Sequence, residues 1–518
     1  MEPNVEQTKL IEAVPSGQSL IKGVAGSGKT TVALHRALFL HRNYCTDPAD
    51  RILLATFNRT LVNYLMYIYE KVEEKYKASY ANIFSDDEDR VDIMSIDQLI
   101  YHYYIKNLAE PNLKPLYDFK EALRILVECA AELRKKYEDV VILEDTNFLL
   151  DEINWIKSCH YLELEEYQKV DRLGRTIAKS EDSPQRLAKN SKTRRAIYDL
   201  MLAFDRRMQE NGYIHPRDIA VKALEHAHEN QPNIYKHVII DEGQDLTRVQ
   251  IEFLKTIYRD DKDSSFNFIT DTSQSIYPHA WLVKGRSFAS VGLDMSGKSS
   301  ALAKNYRTST QVSQAAYSML EKDPEITDCE YFVRPALLDQ QGHYPVLKSF
   351  TKSAEEANYV VSEVKKLIGQ GYKHPDIAVI ARMRKQLEPI KSCFDQAGIP
   401  NTMISTMRST FDEESVRLLS MHAIKGLEYP VVFIVGLNSG VIPYTPSKHK
   451  DQDVQESNER KLLYVGMTRA LELLYLSCWG RPSKFIRLLI LKSCTNLARL
   501  LTGFSLSACQ LGNNEHFF

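Results

Sequence analysis

An apolar run from Ser19 to Val24 enters GVAGSGKT at Gly23 to Thr30 and leaves into TTVALHRALFLH, where Val32, Leu34, Leu38 and Leu40 keep a helical spacing. A strand that turns over glycines into a helix is the feature that most restricts the fold. Gly23, Gly26 and Gly28 let backbone N–H groups close on phosphates, with Ala25 and Ser27 completing the cradle. In such a loop Lys29 neutralises β- and γ-oxygens and Thr30 is the Mg²⁺ ligand. The expectation is an α/β chain built on a parallel sheet, with a nucleoside triphosphate and Mg²⁺ at the strand end.

More strands of that kind follow. ILLATF at Ile52 to Phe57 runs into an amphipathic helix, VDIMSI follows the acidic stretch Ser85 to Arg90, and IYKHVIIDEGQD and FNFITDTSQSIY both end on carboxylates or glutamine. Residues 107–230 read instead as charged helices, with EALRILVECAAELRKKYE and TRRAIYDLMLAFDRRMQ the clearest periods. Beyond Asn305, the segments VLKSF, DIAVIARM, VRLLSMH, PVVFIVG and LLYLSC are candidate strands of a second α/β unit. The expected division is residues 1–106 and 231–300 for one α/β domain, 107–230 for a helical insertion, 301–483 for a second α/β domain and 484–518 for a tail.

A chain of 518 residues that is 44% hydrophobic is long enough for several cores. Its 66 basic and 68 acidic residues leave a net charge of −2, which excludes a generally basic nucleic-acid coat and confines any such affinity to one face. Eight cysteines without a CxxC pair suggest neither a zinc site nor a disulfide framework. No 18-residue uncharged apolar stretch occurs, so a cytoplasmic protein without membrane contact is expected.

In DEGQD, Asp241 and Glu242 are adjacent carboxylates at a strand end, suited respectively to a hydrated Mg²⁺ and to the proton of an attacking water. Eight segments in this order resemble the UvrD/Rep/PcrA-type superfamily 1 helicases. They are NVEQTKLIEA, GVAGSGKT, ATFNRTL, DEGQD, DTSQSIY, KNYRTS, LLSMHAIKGLEYP and ERKLLYVGMTRA. The resemblance implies two tandem RecA-like domains with a helical insertion in the first. It also implies that Gln7 reads the adenine edge, Tyr306 stacks on the ring and Glu428 binds the ribose. Gln274 would link the γ-phosphate to the DNA site, and Arg307 and Arg469 would be arginine fingers reaching in from the second domain. Lys425, in HAIKGLE, is open to either a structural or a functional role.

For single-stranded DNA, Phe57, Asn58, Tyr277, Trp281 and His422 are the candidate contacts, since aromatic faces hold bases regardless of sequence. Two departures from the family pattern stand out. SIYPHAWLVKG displaces the usual tryptophan, and Thr31 stands where many relatives have an arginine. Arg172, Arg175, Lys179, Arg186, Lys189, Lys192, Arg194 and Arg195 form the most basic local stretch, read as either a duplex-phosphate contact or a solvated helix face. Fewer than twenty residues between Gly398 and Val416 leave no space for the accessory subdomain of Rep-like relatives.

The resulting expectation is an ATP-dependent helicase moving 3′ to 5′ on single-stranded DNA and acting at single-strand/duplex junctions. The alternatives are a translocase with weak unwinding, the motor subunit of a repair, nuclease or phage-defence complex with a protein partner, and an ATP-switched protein-binding module.

Overall fold

The computed structural model describes residues 3–79, 90–108, 112–173, 175, 187–277, 279–321, 323–336, 341–404, 414–444, 452–486 and 489. Its strands in chain order are β1 (Gly17–Gly23), β2 (Ile52–Thr56), β3 (Val91–Ser95), β4 (Lys114–Pro115), β5 (Tyr213–Ile214), β6 (His237–Asp241), β7 (Ser265–Thr270) and β8 (Ser299–Leu302). They continue with β9 (Val346–Phe350), β10 (Ile377–Ala381), β11 (Asn401–Met403), β12 (Val416–Ser420), β13 (Tyr429–Val435) and β14 (Ala470–Trp479).

Two six-stranded sheets result, ordered β3-β2-β6-β7-β1-β8 and β11-β12-β10-β13-β14-β9, while β4 and β5 pair alone. All the pairings within both large sheets are parallel. Strands β2, β6, β7 and β10 are buried along their whole length, as expected of parallel strands covered on both faces. Alternate residues of each strand serve opposite faces. Leu20, Leu53, Val238 and Phe268 lie in one core; Ile21, Leu54, Ile239 and Ile269 lie in another, with Leu34 and Leu38 of the P-loop helix Lys29–Tyr44. The second sheet splits in the same way between Ile380, Leu419 and Ile434 on one side and Val379, Leu418 and Phe433 on the other.

The helices of 107–230 are not an independent unit. Phe148, Trp155, Phe204 and Leu224 share one continuous core with Leu20, Leu53 and Ala55 of the first sheet. Strand β8 crosses the boundary expected at residue 300, because Leu20 to Gly23 of β1 align with Ser299 to Leu302. Among the described residues no helix is long and apolar enough to cross a membrane.

Parallel pairing puts the carboxyl ends of β1, β2, β6 and β7 on one edge of the first sheet. The glycine loop, Asn58, Glu242 and Gln274 are therefore brought together by topology.

Candidate nucleotide and nucleic-acid site

Gly26 and Gly28 adopt φ of 72° and 83°, and both are also hemmed in sterically. A Cβ on Gly28 would lie 2.2 Å from Gln7 Nε2, and one on Gly26 2.1 Å from Asn305 Oδ1. The cradle is thus closed by a side chain from each flank. Gln7 is buried, donates to Ser27 O at 2.9 Å, and sits in a capping box with Asn4 at the start of helix Val5–Ile11. Asn305 accepts from the backbone N–H groups of Arg307 and Thr308 and donates to Ser313 Oγ, which shapes the KNYRTS turn. Its role was not read from the sequence, although an asparagine before Tyr306 in a tight turn is a signal for side-chain-to-backbone bonding.

Within the loop, Ser27 Oγ donates to Val24 O, and Ala25 packs into the second domain's core. The Lys29 ammonium donates to the carbonyls of Gly23 and Val24 at 3.1 and 2.9 Å and to Asp271 Oδ2 at 3.1 Å. Thr30 Oγ1 donates to Asp241 Oδ2 at 2.8 Å. Burial, reinforced by adjacent Glu242, pushes the Asp241 carboxyl up to about 6. A hydroxyl oxygen beside a buried carboxylate suits a hard divalent cation, so Thr30 and Asp241 are the residues that would hold Mg²⁺.

Glu242 has φ 58° and ψ 34°, a left-handed conformation that costs a non-glycine residue on the order of 1–3 kcal/mol and is maintained here by its surroundings. Burial would raise its carboxyl, but Lys425, Lys29 and Arg469 hold it below the ordinary value, so it is charged. Gln244 donates to it, and Gln244 Oε1 accepts from Asp271 N–H at 2.9 Å.

The second sheet supplies the opposite wall. Arg469, just before β14, donates to Gln274 Oε1 at 2.6 Å, while Gln274 Nε2 reaches Asp271 Oδ2 at 2.5 Å. Arg307 donates to Glu428 Oε2 at 2.7 Å and to Thr31 Oγ1 at 2.8 Å. Tyr306 donates from its hydroxyl to Glu6 and from its backbone N–H to Gly26 O. Together Gly26, Gly28, Lys29, Thr30, Thr31, Glu242, Gln274, Arg307, Glu428 and Arg469 line one open cleft.

Lys425 proves to be an interdomain tie. It is 1% exposed, donates to Asp245 and to Gln274 O at 2.5 Å, and lies 3.5 Å from Glu242. Asn58 Nδ2 donates to the carbonyl of the same residue at 2.8 Å, so that amide spans the two domains.

The aromatic candidates divide. Phe57 and Tyr277 pack at 4.5 Å between ring centroids, and His422 of the second domain lies 6.3 Å from Tyr277. All three rings are half-buried, and burial, with help from Arg382 and Lys425, lowers the His422 imidazole to about 4. Trp281 does not join them, which corrects its expected DNA contact. It is 4% exposed, its indole N–H donates to Ser290 Oγ, and the Arg286 and Arg248 guanidinium groups lie 4.0 and 5.5 Å from its ring.

The basic stretch divides as well. Arg172 and Arg175 pair with fully buried Glu152, and Arg194 donates to the carbonyls of Leu187, Tyr167, Gln168 and Val170. Lys189, Lys192 and Arg195 pair with Asp171, Asp139 and Asp199. Lys179 and Arg186 lie outside the described residues.

Comparison with known proteins agrees with this geometry. The "UvrD/REP helicase N-terminal domain" family matches residues 3–281, and the "UvrD-like helicase C-terminal domain" family matches 300–411 and 405–480. The chain is 29% identical over 194 residues to "ATP-dependent DNA helicase UvrD1" of Mycobacterium leprae, covering 35% of this chain and 23% of that protein. It is 46% identical over 65 residues to "ATP-dependent DNA helicase PcrA" of Bacillus subtilis, covering 12% of this chain and 8% of that protein. The matched stretches thus span under a quarter of these relatives' own length. A solved C-terminal domain of a possible DNA helicase from Lactobacillus plantarum covers 35% of this chain and 91% of its own at 19% identity, with a TM-score of 0.26. With family matches running from residue 3 to residue 480 across both sheets, the chain belongs to the UvrD/REP helicase family.

Proposed function

We propose that this chain is an ATP-hydrolysing DNA helicase that moves 3′ to 5′ along single-stranded DNA and separates duplex at a junction. The observation that carries this reading is the bond from Arg469, before β14, to Gln274, after β7, inside the cleft that Lys29, Thr30 and Glu242 line. A phosphoryl group there is gripped by both domains, so its hydrolysis changes how the domains sit. The polarity rests on the resemblance to the family.

In this reading Gln7 and Tyr306 hold adenine, Lys29 the terminal phosphates, and Glu242 accepts the proton of the attacking water. Thr30 and Asp241 would hold Mg²⁺, which would supply positive charge to offset that of the phosphates. Arg307 and Arg469 stabilise charge on the transferring group. Arg307 now sits on Glu428 and Thr31, so nucleotide entry exchanges that carboxylate for phosphate and frees Glu428 for the ribose. Phe57, Tyr277 and His422 grip bases by their faces, with Asn58 at the domain junction.

A second reading, a translocase that unwinds weakly alone or serves as motor for a repair, nuclease or defence partner, is favoured by one feature. Strands β11 and β12 are neighbours joined by residues 404–415 alone, which leaves no space for an accessory subdomain above the junction. The test is ATPase stimulation by single-stranded DNA, followed by single-turnover unwinding of duplexes of increasing length. Stimulated ATPase with yields that collapse as the duplex lengthens favours the second reading; a yield flat over hundreds of base pairs favours the first. ATPase indifferent to DNA would overturn both and leave an ATP-switched binding module.

A further inference from the structure

The departure SIYPHAW places a histidine two residues after Tyr277, and the structure gives it a partner outside the motor domain proper. His279 Nε2 lies 3.2 Å from Asp151 Oδ1, on helix Thr146–Ser158 of the helical region. Asp151 is itself held by Arg175 at 2.5 Å, and Arg175 by buried Glu152 at 2.8 Å. His279 is thereby anchored to a buried ion network.

Holding it there is costly. His279 has φ 71°, a left-handed conformation disfavoured for a residue with a Cβ. Its side chain is 4% exposed, and Nδ1 is buried with no hydrogen-bond partner in the structure. Burial lowers its imidazole although Asp151 favours the charged form, so the ring is neutral and its Nε2–H donates. Strain and an orphaned acceptor on one residue persist where surrounding contacts overdetermine the geometry, and such residues concentrate at functional sites.

What that geometry controls is Tyr277. Just upstream, Ile276 N–H donates to Asp245 Oδ1 at 3.3 Å; downstream, His279 is tied to Asp151 and Trp281 N–H donates to Leu246 O at 2.8 Å. The ring that packs on Phe57 therefore lies in the chain between an anchor at Ile276 and another at His279. The geometry points to His279 as a positioning residue for the DNA track: its bond to Asp151 fixes Tyr277 against Phe57 and ties the base-gripping rings to the helical region. This rests on the proposed single-stranded DNA site.

The test uses the full chain with oligodeoxythymidine carrying one 2-aminopurine, reading both the DNA concentration for half-maximal ATPase and the quenching of the probe by stacking. His279→Gly keeps the backbone conformation and removes the donor, and it should raise the half-maximal DNA concentration roughly fivefold and weaken quenching. DNA-free ATPase and melting temperature should stay close to those of the unaltered chain. His279→Asn tolerates the same backbone and restores a donor, so it should recover part of the loss. In a Tyr277→Leu background His279→Gly should add nothing, because its effect passes through that ring. Should His279→Gly melt early, Asp151→Ala, which removes the acceptor, carries the same titration. Titrations of both variants that overlay the unaltered chain, or effects that add to Tyr277→Leu, would overturn the assignment. If the unaltered chain itself shows no DNA stimulation, the DNA site has failed rather than the strut.

Discussion

The nucleotide cleft and the helical region both bury charge, and they treat it in opposite ways. In the helical region Glu152 is 0% exposed yet meets Arg172 and Arg175, which against the penalty of burial bring its carboxyl down to about 2. Lys157, 1% exposed, lies between Asp205 and Asp218. Each buried charge there is answered inside the protein. In the cleft, Asp241 and Glu242 are adjacent carboxylates, Lys29 divides one ammonium among two carbonyls and Asp271, and Asp241 is pushed up to about 6. Imbalance of this kind is tolerable where a ligand completes it. Closed networks mark architecture and open ones mark chemistry.

The comparison breaks most visibly if charges in the cleft are merely structural. Replacing Arg469 by Ala should lower kcat by about 10³-fold or more, with a much smaller change in nucleotide affinity. Loss of affinity with kcat spared would make it a ground-state contact instead. Glu242→Gln should cost roughly 10²–10⁴-fold in turnover while a fluorescent ATP analogue still binds, whereas Lys29→Ala should lose binding as well. Retention of more than about a tenth of turnover in Glu242→Gln would remove that residue from the base role.

In the helical region the same kind of change should strike stability and leave chemistry alone. Glu152→Gln removes the buried negative charge that Arg172 and Arg175 share and should destabilise by about 3–5 kcal/mol. Its kcat per folded molecule should match the unaltered chain. Denaturant unfolding and ATPase on the same preparation separate the two outcomes, and intact stability with depressed kcat would blur the distinction drawn above.

His237 offers a smaller, pH-dependent version. It is 0% exposed, and burial, aided by Lys236 and Arg36, lowers its imidazole from 6.5 to about 3. Below about pH 6.5 the unfolded chain binds a proton that the folded chain refuses, so stability should fall with falling pH by up to about 1.4 kcal/mol per unit. His237→Asn should flatten that slope between pH 7 and 5. An unchanged slope would show that other groups carry it.

Most of both sheets was legible from sequence because their central strands are apolar on both faces, as in VIID before Glu242 and IAVIA before Arg382. Strand β8 was not, since Ser299, Ser300 and Ala301 are exposed and only Leu302 is buried. The cleft residues could be read because phosphate chemistry restricts which residue types serve at a given spacing. Lys425 could not be decided, as its role depends on Asp245, 180 positions away. Trp281 misled, and the basic stretch could be read two ways, for a shared reason. Ring faces and guanidinium groups look the same in sequence whether they face a ligand or each other, and here Arg286 covers the indole while Glu152 occupies Arg172 and Arg175.

The smallest expected effect tests the part of that stretch still at the surface. Lys189, Lys192 and Arg195 have side chains 47%, 56% and 55% exposed, and each is paired with an aspartate. Exposed pairs are worth only about 0–1 kcal/mol, so a phosphate could displace the partner, and pairing alone does not exclude a nucleic-acid contact. What argues against one is local balance. A backbone passing Lys189, Lys192 and Arg195 would also meet Asp171, Asp139 and Asp199, and the attraction cancels to first order beyond a Debye length of about 8 Å. The triple alanine variant should therefore leave the slope of log affinity against log salt within about half a unit of the unaltered chain. Loss of three phosphate contacts would instead shift it by about two units or more, at roughly 0.7–0.9 per contact. A shift of that size would return the helical region to the DNA path and show that its charges, closed within the protein, open again when a strand arrives.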